Sequence, residues 1–205
     1  MKNLKTAIDF VEGKITVDEF MGAGKASNVL DSLQSLVPNG MTRCVLKMDN
    51  GKVVAEVVPY DIKEVLIELY AFGTLDAKIN IFAEVRDILI DIYPELKVNN
   101  AFIEKYRFIL VNTPSYIGGV EAELVLEKIY DQMKIKKIKI FKEVVRQKFT
   151  MQDKPPKWIQ DPEWPVDKEG NPLQFVSEKW INKEGKKYYF KCLSTKKIVS
   201  IKQSF

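Results

Sequence analysis

The chain has 205 residues, 46% of them hydrophobic and 29% charged, with 32 Lys+Arg against 28 Asp+Glu and two cysteines. That is enough apolar material for one large domain or a medium domain with an appendage. Histidine is absent, which excludes Ser-His-Asp and Cys-His catalysis, histidine-ligated metal and the usual proton shuttle near neutral pH. Charges interrupt every apolar run before the ~20 residues that a spanning helix needs, so no membrane span is expected. Asp9 and Glu12 interrupt the opening where a signal peptide needs its apolar segment, and the expectation is a cytoplasmic protein. Cys44 and Cys192 lack neighbouring ligand-type cysteines and read as free thiols.

Leu4, Ile8 and Val11 recur at helical spacing and stop at Gly13, which predicts a first helix. Thr16-Val17-Asp18-Glu19 has the form of a capping box and predicts a short second helix through Phe20. Gly22-Ala23-Gly24-Lys25-Ala26-Ser27 reads as a loop ahead of an N-cap serine; it lacks the spacing and ending of a phosphate loop. A third helix is expected after Ser27, carrying Leu30, Leu33, Leu36 and Val37 until Pro38 and Gly40 end it. Residues 42 to 59 change period, with Cys44, Leu46 and Met48 alternating, a turn at Asp49-Asn50-Gly51 and a β-branched run from Val53 to Val58. They predict a β-hairpin.

Helical spacing returns with Ile62, Val65, Leu66 and Leu69, then with Leu75, Ile79, Phe82, Val85, Leu89 and Ile92 up to Pro94. Further helices are expected over about 99 to 111 and after Gly118-Gly119, the last continuing or restarting through Phe141, Val144 and Val145. Lys154 to Pro165, KPPKWIQDPEWP, then sets four prolines and two tryptophans in twelve residues. Proline fixes φ and removes an amide donor, so this stretch is neither helix nor central strand. Trp158 and Trp164 each gain a few kcal/mol by burial, so Pro155, Pro156, Trp158, Trp164 and Pro165 read as a rigid, docked structural joint. LQFVSEKWI, KKYYFKCLS and KKIVSIKQS follow as strand-like runs. A meander of that size needs a covering layer.

The expected fold is therefore α+β: a mainly helical domain over 1–152 with a possible hairpin, a Pro/Trp-rich joint over 153–175, and a small antiparallel β-meander over 176–205 packed on the helices.

Candidate chemistry is sparse. Asp87 and Asp91 at i, i+4 share a helix face and could serve an enzyme without histidine, but they read first as a solvated acidic face, as do Glu121, Glu123 and Glu127. No catalytic, cofactor-binding or metal-binding residue is assigned, and no cofactor is expected. The basic stretch offers more. Lys134, Lys136, Lys137, Lys139, Lys142, Arg146 and Lys148 alternate with Ile135, Ile138, Phe141 and Val145, a basic amphipathic surface suited to nucleic-acid phosphates, an anionic membrane or an acidic protein. It contributes to a lopsided charge: residues 1–133 carry 14 Lys+Arg against 20 Asp+Glu, and residues 134–205 carry 18 against 8. In the tail, Trp180, Tyr188, Tyr189 and Phe190 alternate with Lys179, Lys183, Lys186, Lys187 and Lys191. Aromatics on one sheet face could stack single-stranded bases, although a small sheet ordinarily uses them as core.

In order along the chain, KTAIDFVEGKITVDEF, a helical middle, and KPPKWIQDPEWP followed by GNPLQFV resemble a family of small bacterial immunity-type proteins. These are encoded beside polymorphic or contact-dependent toxins. The resemblance implies a non-enzymatic protein that binds and neutralises a cognate protein toxin. The sequence departs from the family wording after GNPLQFV, where Ser177-Glu178-Lys179-Trp180 follows, and no interface residue transfers. On the residues alone, a nucleic-acid-binding accessory protein and an enzyme of unknown substrate remain alternatives.

Overall fold

In the computed structural model, residues 4–26, 28–49 and 52–205 are described, and they fall into two compact units, Met1–Phe102 and Ile103–Phe205. The architecture is α+β, with eight helices and two antiparallel sheets among the described residues. The first unit has net charge −4 (11 Lys+Arg, 15 Asp+Glu) and the second +8 (21 against 13).

The first unit opens with α1 (Lys5–Val11), α2 (Val17–Ala26) and α3 (Val29–Gln34). Gly13 sits at φ +72° with its N–H on the Phe10 carbonyl, which ends α1 as its sequence predicts. The capping box of α2 is formed on both sides: Glu19 N–H donates to Thr16 Oγ1 at 3.2 Å, and Thr16 N–H donates to Glu19 Oε2 at 2.7 Å. The helix does not stop at Phe20, however, and Gly22 to Gly24 are helical rather than looped. Phe20 and Met21 are fully buried, and Gly24 admits Leu30, whose Cδ2 would lie 3.3 Å from a Cβ there. Packing outweighs the helix penalty of glycine, about 1 kcal/mol each. The proposed N-cap Ser27 lies outside the described residues, and α3 ends before Leu36 and Val37.

Strands β1 (Thr42–Asp49) and β2 (Lys52–Pro59) form the expected hairpin, with Thr42 opposite Pro59 and Asp49 opposite Lys52. Its tip, Asn50-Gly51, lies outside the described residues. Helix α4 (Ile62–Phe72) starts at Asp61, whose carboxylate accepts from the N–H groups of Lys63 and Glu64, and ends at Gly73 with φ +68°. Helix α5 (Leu75–Ile92) is capped by Thr74, which accepts from Ala77 N–H. An aromatic cluster forms the centre of this unit. Phe10 stacks on Phe20 at 4.6 Å, and Phe82 meets Phe102 edge to face at 4.6 Å and Phe10 at 5.6 Å.

Helix α6 (Ala101–Asn112) spans the division, and the second unit continues with α7 (Val120–Gln132), α8 (Ile138–Lys148), and the meander β3 (Gln174–Trp180), β4 (Gly185–Lys191) and β5 (Ile198–Ser204) in spatial order β3-β4-β5. A bulge at Val176 shifts the β3 register between Phe175 and Ser177. The division thus falls at the start of α6 rather than at the Pro/Trp stretch. That stretch has its contacts within the second unit. Trp164 is 1% exposed, donates its indole N–H to the Leu173 carbonyl at 2.8 Å, and is ringed by Phe149, Phe175 and Phe190. Trp158 lies against Tyr188 at 4.4 Å and donates to the Tyr116 carbonyl at 2.9 Å. Pro156 is buried, Pro165 half-buried and Pro155 exposed.

Candidate functional site

The basic stretch is built around α8. Phe141 and Val145 are fully buried and Phe149 nearly so, at i, i+4 and i+8, so a single narrow seam attaches the helix to its unit. Phe141 meets Phe108 edge to face at 5.4 Å. The other two residues of the expected apolar stripe stay outside: Ile135 is 56% exposed and Ile138 is 51% exposed. Ile140 is exposed as well.

Around these isoleucines Lys134, Lys137, Lys139, Lys142, Arg146 and Lys148 are exposed, and no carboxylate lies within ion-pair distance of them among the described residues. Lys136 differs. Its ammonium folds back onto the Tyr130 carbonyl at the end of α7 and lies over the Tyr130 ring, 4.3 Å from the centroid. The helix start adds to the imbalance. Lys137 is the N-cap and makes no side-chain cap, Lys139 follows, and the first turn holds no acid. The positive end of the helix dipole disfavours cations there, so these lysines oppose the local electrostatics. Arg146 and Lys148 in the last turn are favourably placed. The acids of α7 are engaged elsewhere, with Glu127 and Asp131 each 2.8 Å from Lys105 Nζ.

The meander carries a second basic face. Its register sets Lys187 directly opposite Lys179 on one side and Lys202 on the other, and Tyr189 opposite Ser177 and Ser200. Alternation puts these residues with Lys191 on one face and Tyr188, Phe190 and Lys186 on the other. Like charges facing each other across strands are destabilising. The tail aromatics are therefore divided: Tyr188 and Phe190 are fully buried, Tyr189 is half-buried on the lysine face, and Trp180 is exposed at the sheet's end beside Phe205. Lys186 is buried on the inner side, bonded to Glu178 at 3.0 Å and to the Lys157 carbonyl at 2.8 Å. Lys183 falls in the turn between β3 and β4.

The acidic candidates do not gather into a cleft. Asp87 and Asp91 are exposed on α5, with Arg86 against Asp87, and Glu121 is exposed on α7. No group of His, Cys, Asp and Glu suited to a metal ion occurs among the described residues. Among the described residues no helix is long and apolar enough to cross a membrane.

Two features escaped the sequence reading. Beside the hairpin a cleft of about 590 Å³ is lined by Arg43, Asp61, Glu64 and Glu68 among others. Arg43 bridges to Glu68 at 3.0 Å and Glu64 at 3.5 Å. Nearby, Tyr60 donates to Glu84, and burial together with that carboxylate pushes its hydroxyl pKa up. Cys192, buried after β4, has its thiol brought down to about 7 by hydrogen bonding with Ser194 and Thr195. Neither feature has a motif in the sequence, because both depend on side chains brought together by turns. Both cysteines are free.

No protein-family model, curated protein or solved structure matches the chain.

Proposed function

We propose that this protein is a non-enzymatic binding protein of the bacterial immunity type, which captures a cognate protein toxin and neutralises it by covering its working surface. The observation that carries this reading is the outer surface of the α8 segment, where exposed Ile135, Ile138 and Ile140 alternate with Lys134, Lys137, Lys139, Lys142 and Arg146. Apolar anchors within unpaired cations fit a protein partner with an apolar centre and an acidic rim. Phosphates alone would leave the isoleucines in water. Uncompensated positive charge also speeds capture of an acidic partner, an effect that falls with ionic strength. The resemblance of KTAIDFVEGKITVDEF and KPPKWIQDPEWP with GNPLQFV to immunity proteins supports the same class.

The test is co-expression with the product of the neighbouring gene, which this reading requires to end in a toxic domain. Restored growth and a purified complex of the two chains are expected. Continued killing with no complex overturns the proposal.

A second reading rests on the meander. Half-buried Tyr189 among Lys179, Lys187, Lys191 and Lys202 suits stacking of a single-stranded base with phosphates on the lysines. It requires oligonucleotide binding at low salt that Lys187→Glu removes. Absence of binding eliminates it.

A further inference from the structure

The hairpin of the first unit has one face made wholly of apolar side chains and open to solvent. Antiparallel register pairs Cys44 with Val57, Leu46 with Ala55 and Met48 with Val53, so these six side chains share a face. All are exposed: Leu46 73%, Val57 69%, Met48 68% and Val53 65%, with Cys44 and Ala55 between them. The opposite face has a different composition. It carries Arg43, Val45, Lys47, Val54, Glu56 and Val58; Arg43 is tied to Glu64 and Glu68 of α4, and Lys47 lies 2.5 Å from Glu56. Polar neighbours and ion pairs therefore occupy the side near α4, and the apolar side is left without a layer.

A two-stranded ribbon is marginal in water unless a further strand or layer covers its apolar face. Contiguous exposed apolar patches of this kind mark interaction sites on soluble proteins. We infer that two copies of this chain associate face to face through Cys44, Leu46, Met48, Val53, Ala55 and Val57.

Three observations select a second copy as the occupant. At the exposures given, complete burial of the six side chains would remove roughly 500 Å² per copy and roughly 1,000 Å² from a symmetric pair, the lower bound for a specific interface. A partner made elsewhere would leave these aliphatic side chains in water whenever it was absent, whereas an identical chain is present whenever this one is made. The face is also complementary to itself. A two-fold axis running along the strands places each strand over the partner's other strand, so Leu46 covers the partner's Ala55 and the reverse, large over small in the central row. An interface at the lower size bound is expected to give micromolar association rather than a permanent dimer.

The test is the solution mass of the full chain, by light scattering and sedimentation from about 1 to 100 µM. The mass should rise toward twice 23.6 kDa across that range. Leu46→Glu and Val57→Lys should each weaken association at least about tenfold, the scale of burying one charge in such a face, with unchanged circular dichroism. Lys47→Ala, on the opposite face, should leave it as it is. A readout without substitution guards against misfolded variants: alkylation of exposed Cys44 should slow as protein concentration rises, while that of buried Cys192 should not follow. A wild-type chain that stays monomeric to about 100 µM, a dimer indifferent to Leu46→Glu, or Cys44 labelling independent of concentration overturns the inference.

Discussion

Trp158 and Tyr188 lie ring against ring, their centroids 4.4 Å apart, and the Tyr188 hydroxyl donates to the Lys157 carbonyl at 3.0 Å while accepting from Ile159 N–H at 2.9 Å. The phenol thus satisfies backbone on both sides of the tryptophan that covers its ring. Two prolines before Trp158 and one after Asp161 limit the conformations of the loop that this pairing must select.

Trp158→Ala removes that ring contact, the stacking on Phe190 at 6.0 Å and the bond to the Tyr116 carbonyl. Because Trp158 is only half-buried, the cost should fall near the lower end for large-to-small changes, about 3 kcal/mol. Trp158→Phe keeps the stacking and loses the hydrogen bond, at about 1 kcal/mol. Urea denaturation midpoints measure both. A Trp158→Ala chain as stable as wild type would remove the loop from the architecture of this unit.

Gly119 holds φ +92°, and a Cβ there would lie 3.3 Å from Glu163 Cα and 3.4 Å from the Pro162 carbonyl oxygen. The Trp164 N–H donates to the neighbouring Gly118 carbonyl at 2.9 Å, so both glycines allow the proline-rich loop to lie against the start of α7. Gly119→Ala should destabilise by more than about 1 kcal/mol, since strained φ and backbone contact act together. Gly22→Ala is the contrast. It is an exposed helical position with nothing within 4 Å of the added carbon, and should stabilise by up to about 1 kcal/mol. Paired thermal melts decide both signs.

The difference between those glycines shows what was legible in the chain. Thr16-x-x-Glu19 and Gly13 act within four residues, so spacing alone revealed the capping box and the helix end. Gly22 to Gly24 were read as a loop from the same local rules, and failed because Leu30 packs where Gly24 has no side chain. Alternation identified the hairpin and the meander, but alternation has no sign. Whether Tyr188 or Tyr189 faces inward is set by Trp158, thirty residues earlier. Likewise Ile138 and Phe141 were equivalent members of one stripe until the ring of Phe108 selected Phe141. The bareness of Leu46 and Val57 had no local signal, since it follows from which face α4 leaves uncovered.

The Glu19 carboxyl is held below its ordinary value of 4.5 chiefly by the Thr16 N–H, then by the Thr16 hydroxyl. A carboxyl whose pKa is lower in the folded state binds fewer protons there than in the unfolded chain, so it adds stability above its unfolded pKa. That contribution disappears as pH falls through the folded pKa. The advantage of wild type over Glu19→Gln should therefore be fully present at neutral pH, above the unfolded carboxyl pKa, and be lost on acidification through the folded pKa. Thermal melts of the two proteins from neutral to acid pH make the comparison. An advantage that grows on acidification would contradict the capping geometry.

The thiol of Cys192 follows the same sign in a higher pH window. Hydrogen bonds from Ser194 and Thr195 bring it from 9.0 to about 7, so the thiolate is favoured by the fold. Its contribution is absent below about pH 7, rises between pH 7 and 9, and is complete above the unfolded value. Cys192→Ala should consequently show a deficit relative to wild type that is larger at pH 9 than at pH 6, measured by urea unfolding at each pH. A pH-independent deficit would mean that packing against the β4–β5 turn is all the side chain supplies.

Helix α8 sets an exposed and a buried apolar side chain within four residues. Phe141 is fully buried against Phe108 and its removal as Phe141→Ala should cost about 3 to 5 kcal/mol. Ile138 is 51% exposed, and Ile138→Asp should alter stability by about 0.5 kcal/mol or less. If the outer surface grips an acidic protein partner, the same Ile138→Asp chain should lose protection in co-expression while melting as wild type does. Lys139→Glu with Lys142→Glu should slow association most at low salt, because rim charges act on encounter. The two effects have different signatures: the Ile138 variant weakens the complex at every ionic strength, and the lysine variants converge on wild type as salt rises. Full protection by Ile138→Asp would move the binding surface away from α8, leaving the lysine face of the meander as the remaining basic surface of the second unit to test.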